Sequence, residues 1–183
     1  MLDKLKPMKI LIIVIHPDLE KSMINKRWTE ELKKYPEKYT VHQLHYEYPD
    51  GKIDVAKEQK LIESYDTVVF QFPFYWFSSP SLLKQWFDEV FLYGWAYGSN
   101  SGYKAGGKKM TLAVSTGTDE EGYSNSGKFK YTMDELFCPY KLTFRYVKSE
   151  YQEPFVYYGL EFNSSEEWIE RSVPMYLEFL NAL

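Results

Sequence analysis

Three short clusters in this 183-residue chain combine residue types able to hold or transform a small molecule. The first is His16-Pro17-Asp18, followed closely by Ser22-Met23-Ile24-Asn25. It separates an apolar run from an amphipathic one, so it supplies a helix N-terminus. Amides lack partners at such an end and the helix dipole favours negative charge there, which suits a phosphate. Ser22 can donate its hydroxyl and Asn25 can close the first turn. From this loop alone, an ordinary capped helix with a satisfied histidine reads equally well. The second cluster is Pro73 with four successive aromatics, Phe74, Tyr75, Trp76 and Phe77, placed where a buried strand must end. Ligands of open α/β sheets sit beyond the carboxyl ends of the strands, so a flat ring is one reading. A hydrophobic plug beneath the next helix is the other. The third is Ser115-Thr116-Gly117-Thr118, where a glycine permits close backbone approach and successive amides can bond the polar edge of a ring. A plain strand-exit turn is its alternative.

Magnitudes rank these clusters. A charge at a helix N-terminus contributes ~0.3–2 kcal/mol, whereas nanomolar binding needs about 12 kcal/mol. Burying ~200 Å² of aromatic surface at ~25 cal/mol per Å² supplies roughly 5 kcal/mol. The aromatic turn must therefore carry much of any tight binding.

The elements that position the clusters follow from hydrophobic period. Strands are expected at Lys9–Ile15, Thr40–Leu44, Thr67–Phe72, Met110–Ser115 and Leu142–Tyr146. Helices are expected from Ser22 to about Lys34 with Ser22 as N-cap, then at Asp54–Ser64, Pro80–Phe91 and Lys130–Phe137. Ser164 with Glu167 reads as a capping box opening a last helix, which Pro174 should kink or break. Alternating strands and helices imply one α/β domain over 1–183, with a five-stranded parallel sheet between helical layers.

A net charge of -4 argues against nucleic acid or an anionic membrane as partner. Lone Cys138 excludes an intramolecular disulfide and fits a reducing compartment. The apolar run Ile10–Ile15 is strand length and far short of a membrane span, so a cytoplasmic location is expected. His16, His42 and His45 show no metal spacing, and no cysteine cluster or nucleophile elbow occurs. Aromatics stand out, with 17 Tyr, 12 Phe and 5 Trp, which favours a stacking pocket or an oligomer.

The run Q-F-P-F-Y-W-F-S-S-P-S-L-L-K-Q-W-F-D-E-V-F (Gln71–Phe91), with G-W-A-Y-G (Gly94–Gly98), resembles the signature of the flavodoxin-like NAD(P)H:quinone oxidoreductases. It is most similar to a small bacterial branch that includes general-stress reductases and ancillary flavoproteins of glutathione-gated potassium efflux. The resemblance extends from Lys9 to about Gly159. It implies a flavodoxin-like sheet of order 2-1-3-4-5, an FMN cofactor, NADH or NADPH as co-substrate, a quinone-like acceptor, and a homodimer with its active site at the interface. The first loop has no Gly-rich dinucleotide fingerprint, which favours FMN over FAD.

Carried over residue by residue, the resemblance gives His16, Ser22, Met23, Ile24 and Asn25 to the FMN phosphate. Phe74, Tyr75, Trp76 and Phe77 would pack along the isoalloxazine, and Ser115, Thr116, Gly117 and Thr118 would bond its N1/O2 edge. Tyr123 matches a tyrosine that assists charge redistribution; a surface tyrosine is the plain alternative. Tyr75 stands where glutamine is usual, Thr118 where glycine is, and Phe129 near the place of a flavin-side histidine. Trp86 to Tyr97 would lie at the dimer interface, since that apolar cluster left in water makes a patch that monomers rarely tolerate. Azo- or nitro-reduction, a one-electron carrier and a regulatory subunit bound to a membrane transporter are the competing functions.

Overall fold

Side chains of β1 (Ile10–Val14) alternate between two faces: Leu11 and Ile13 enter one core cluster, Ile12 and Val14 the other. That division requires cover on both sides of the sheet. The computed structural model describes residues 9–183, so the first part of the expected 1–183 domain lies outside the described residues. β2 (Tyr39–Gln43), β3 (Thr67–Pro73) and β4 (Lys109–Ser115) join β1 in parallel, in the order β2-β1-β3-β4. β3 is buried at every position, as a central parallel strand must be.

One face is covered by α1 (Ile24–Leu32) and by the C-terminal helix Glu166–Asn181, whose Trp28, Val173, Tyr176 and Leu180 meet Ile12, Val14 and Val69. The short α2 (Leu44–Glu47) leads into α3 (Val55–Glu63), which covers the other face with α4 (Ser81–Val90). A short α5 (Met133–Leu136) then precedes α6 (Cys138–Tyr146), which completes that layer. The order 2-1-3-4-5 and the helices on both faces agree with expectation.

The fifth strand does not lie at Leu142–Tyr146. Those residues belong to α6, where Pro139 opens the helix and Tyr140 and Phe144, four apart, are its buried face. Leu142 points outward, so the apparent alternation is one side of a helical period. The strand comes later and in two pieces, β5 (Glu150–Tyr151) and β6 (Phe155–Tyr157), both parallel to β4. Pro154 cannot donate to a ladder, and the Thr111 hydroxyl donates to the Glu153 carbonyl (2.9 Å) across the break.

The helix Glu166–Asn181, α7, is capped by Ser165 rather than Ser164: Ser165 Oγ accepts from the Trp168 amide (3.2 Å). It continues unbroken through Pro174, whose ring lies on the solvent side, where water can satisfy the carbonyl it leaves unpaired. The premise of the interface expectation also changes. Trp86, Phe87, Val90, Phe91 and Ala96 are buried in the chain's own core. Trp95 stacks on Phe91 and donates from Nε1 to Glu63 (2.7 Å). The outward apolar side chains nearby are Leu92 and Tyr93.

Candidate functional site

The carboxyl ends of β1, β3 and β4 bring the three clusters to one end of the sheet. A cleft of about 320 Å³ opens there between His16, Ser22, Met23 and Asn25 of the first loop and Pro73, Tyr75 and Ser115 of the later strands, with Lys21 and Leu160 in its wall. In the first loop, Ser22 Oγ accepts from the Asn25 amide (3.1 Å), so Ser22 caps α1 as expected and its O–H stays free to donate. The amides of Met23 and Ile24 donate to nothing among the described residues. His16 Nδ1 accepts from the Asp18 amide (3.1 Å), which leaves Nε2 as the proton-bearing nitrogen. Burial first, and then the nearby His45, lower the His16 pKa below the ordinary histidine range; Asp18 opposes. His16 is accordingly a neutral donor at pH 7.

Asn25 does not turn its side chain to the cleft surface. It is 1 % exposed, and its Nδ2 donates to Ser115 Oγ (2.9 Å). Gln71 Nε2 donates to the Asn25 carbonyl (3.1 Å), and the Tyr176 hydroxyl donates to Gln71 Oε1 (3.0 Å). This buried chain ties the first loop to β3, β4 and α7. Asn25 and Ser115 thus hold the first and third clusters at a fixed spacing.

The aromatic turn divides in two. Phe74 is half-buried against Tyr123 and Phe137, with ring centroids at 6.0 and 5.8 Å. Tyr75 and Phe77 are exposed, and Trp76 is 93 % exposed, so these three rings do not plug the core. The Tyr75 amide donates to the Ser78 carbonyl and the Ser78 amide returns a bond to Tyr75, each 2.9 Å. The two residues between them, Trp76 (φ 49°) and Phe77 (φ 60°), are both left-handed. That is the geometry of a two-residue hairpin turn, which normally selects Asn and Gly. Holding two aromatic residues in it costs ~1–2 kcal/mol each. Strain of this kind collects at ligand sites, and here it projects two large rings and two unpaired amides past the strand end.

At the third cluster the Thr116 amide donates to Tyr157 (3.0 Å), whereas those of Gly117 and Thr118 donate to nothing among the described residues. Neither residue has a positive φ, so threonine in place of glycine introduces no backbone strain at 118. At 117 a β-carbon would stand 2.5 Å from Glu161 Oε1, the end of an exposed and movable side chain, so glycine keeps that face open rather than relieving the backbone.

Tyr123 is not a surface tyrosine. It closes a 3-10 turn, Glu121–Tyr123, and its ring packs on Phe74, Phe129 (5.0 Å) and Tyr158 (5.9 Å). Burial raises its pKa, the hydroxyls of Thr118 and Thr116 oppose, and the Glu161 charge adds to the rise. The phenol therefore stays protonated near neutral pH. Phe129 bridges Tyr123 to Phe77 (4.9 Å), filling the position between them with an apolar ring.

Sequence reasoning missed Lys21, Leu160 and Gln71, which reach the site only through the fold. It also missed Glu58, a fully buried carboxylate on α3. Glu58 accepts from His42 Nε2 (2.9 Å), the Tyr48 hydroxyl (2.6 Å) and Trp86 Nε1 (2.9 Å). Burial alone would raise its pKa, but these donors, His42 first, hold it below the ordinary carboxylate range. His42 is a structural partner of Glu58, consistent with a strand histidine. Among the described residues no three His, Cys, Asp or Glu side chains are grouped to hold a metal ion, and no helix is long and apolar enough to cross a membrane.

Comparison with known proteins assigns the chain a family. An NAD(P)H oxidoreductase of Bacillus subtilis strain 168, YrkL, itself uncharacterised, is 44% identical over 175 residues, covering 96% of this chain and 99% of its own. The crystal structure of general stress protein 14 from Treponema denticola in complex with FMN superposes with a TM-score of 0.89 at 44% identity, covering 95% of this chain and 98% of that one. An NADPH-quinone reductase from P. pentosaceus gives 0.83 at 28% identity, covering 94% and 98%. A family model described as a flavodoxin-like fold matches residues 8–179, and the chain belongs to that family.

Proposed function

We propose that this protein is an FMN-dependent NAD(P)H oxidoreductase that reduces a quinone-like acceptor by two electrons, acting as a cytoplasmic homodimer. One observation carries the reading: unpaired amides at Met23 and Ile24, unpaired amides at Gly117 and Thr118, and the strained aromatic turn all converge on one end of the sheet. A phosphate on a planar ring satisfies all three at once. The similarity to the FMN complex and to the NAD(P)H oxidoreductase supports the same reading.

The Ser22 hydroxyl and the Met23 and Ile24 amides would hold the FMN phosphate, with His16 Nε2 and Lys21 at the rim of the cleft. Gly117 and Thr118 would donate to the ring's pyrimidine edge, and Trp76 and Phe77 would exclude water along it. When bound, FMN supplies a ring that takes hydride from NAD(P)H and passes it to the acceptor. Donors preorganised at Gly117 and Thr118 favour the charge left by reduction. Tyr123, protonated and beside Thr118, keeps a proton at the same edge. Phe129 fits flat apolar acceptors, because it offers them a face and no competing hydrogen bond.

The test is anaerobic reduction of the purified chain by NADH and by NADPH, followed by a benzoquinone, an azo dye or a nitroarene. Rapid bleaching and stoichiometric two-electron return to the benzoquinone are expected. Return only to the azo dye or nitroarene would assign the other reductase class, and absence of pyridine-nucleotide reduction would overturn the reading.

A further inference from the structure

The segment after β6 turns back along the exit of β4. The Gly159 amide donates to the Thr118 carbonyl (3.1 Å), Leu160 to Thr116 (3.0 Å) and Glu161 to Gly117 (2.9 Å). Three bonds over three residues fix the Glu161 main chain against the pair of unpaired amides. The Glu161 carboxylate then lies across the open face of Gly117, 2.5 Å from where a β-carbon would stand. It is exposed and makes no salt bridge among the described residues. Burial raises the pKa of the nearby Tyr123 phenol first, and the Glu161 charge adds to that rise.

A net negative group is thus held beside donors whose purpose, in the function proposed above, is to attract negative charge. We propose that Glu161 is a positioning residue that sets the charge at the ring edge, holding the reduction potential of bound FMN below the value the Gly117 and Thr118 amides alone would give. The inference rests on the FMN reading. Reduction places negative charge at the pyrimidine edge, the amides stabilise it, and a carboxylate next to them opposes it. Bound reduced FMN is thereby kept a stronger hydride donor. The ring packed on Tyr123 there is Phe129, an apolar side chain that offers no charge to offset the carboxylate.

The experiment compares the wild-type chain with Glu161→Gln and Glu161→Asp. Glutamine keeps the shape and removes the charge; aspartate keeps the charge. Oxidised FMN affinity is measured by fluorescence quenching and the midpoint potential by equilibration with reference dyes, with thermal melts to confirm folding. Glu161→Gln is expected to tighten binding of reduced FMN relative to oxidised by roughly tenfold, as for one solvent-screened charge. That ratio is an upward shift of about 30 mV for a two-electron couple. Glu161→Asp should stay close to wild type. An unmoved potential in Glu161→Gln, with normal FMN binding, overturns this inference and leaves the cofactor reading standing. Failure of the wild-type chain to bind FMN overturns both.

Discussion

Replacing Ser115 by alanine should loosen the spacing between the phosphate loop and the ring edge while leaving the unpaired amides of both in place. Ser115 Oγ is the acceptor for Asn25 Nδ2 at 2.9 Å, and both residues are buried. Once the oxygen is gone, the Asn25 amide has a buried donor with no partner, because its remaining contact is the carbonyl oxygen that Gln71 approaches at 3.4 Å. Leaving a buried donor unsatisfied costs ~1–3 kcal/mol. With a urea dependence of roughly 2 kcal/mol/M, the apoprotein midpoint should fall by ~0.5–1.5 M with an unchanged slope. Asn25→Ala should cost a similar amount. The double variant should cost less than the sum of the two, by about 1 kcal/mol, because both ends of one bond are then removed together. FMN affinity should weaken in each single variant, since the first loop and the exit of β4 no longer hold one spacing. Urea unfolding followed by tryptophan fluorescence, with FMN titration of the same samples, measures both quantities. Strict additivity, or a Ser115→Ala midpoint equal to wild type, would refute the claim that this bond sets the spacing.

The remaining predictions concern the turn, the glycine, the buried carboxylate and the outer surface. Exchanging Trp76 and Phe77 together for Asn and Gly should relieve two left-handed aromatics, raising the melting temperature of the apoprotein by roughly 4–8 °C. The same exchange should weaken FMN by at least about tenfold through loss of the ring surface; a variant that is both more stable and equally tight would remove the turn from the site. Gly117→Ala should fold nearly as well as wild type, because its β-carbon meets only the movable end of Glu161, yet it should bind FMN more weakly. Unchanged binding in a titration would place the ring elsewhere. Glu58 has a lowered folded pKa, so its contribution is complete above its unfolded pKa and is lost as pH falls through the folded value. Glu58→Gln should therefore cost ~3 kcal/mol at pH 7 and show a smaller acid-induced loss than wild type, as read from denaturation midpoints between pH 7 and pH 3. Tyr93, 67 % exposed, is the better probe of the proposed dimer than Trp95, whose indole already bonds Glu63. Tyr93→Glu should yield monomers by light scattering, and an unchanged mass would move the interface off this segment.

What could be read in the sequence followed local chemistry. β3 was visible because a fully buried strand is a continuous apolar run, and the turn after it because proline and clustered aromatics end such a run. The cap at Ser22 was visible because capping is a contact over three residues. The fifth strand was not, since its two short pieces flank a proline and acquire their strand character only by pairing with β4. α6 was misread because five residues with two outward apolar side chains satisfy either period. The exposure argument for Trp86 to Tyr97 failed because a hydrophobic run does not say which layer absorbs it. The buried bond from Asn25 to Ser115 was not visible, because that partner lies 90 positions away. Glu161 carried no signal at all: its proximity to Gly117 exists only once β6 returns beside β4.

The most direct test of the account is the identity and stoichiometry of the cofactor. The purified full-length chain, reconstituted with FMN and desalted, should show the two visible flavin absorption bands at one equivalent per chain. Heat should release a compound that chromatographs as FMN. Saturating FMN that leaves no bound chromophore, or preferential retention of FAD from an equimolar mixture, would contradict it.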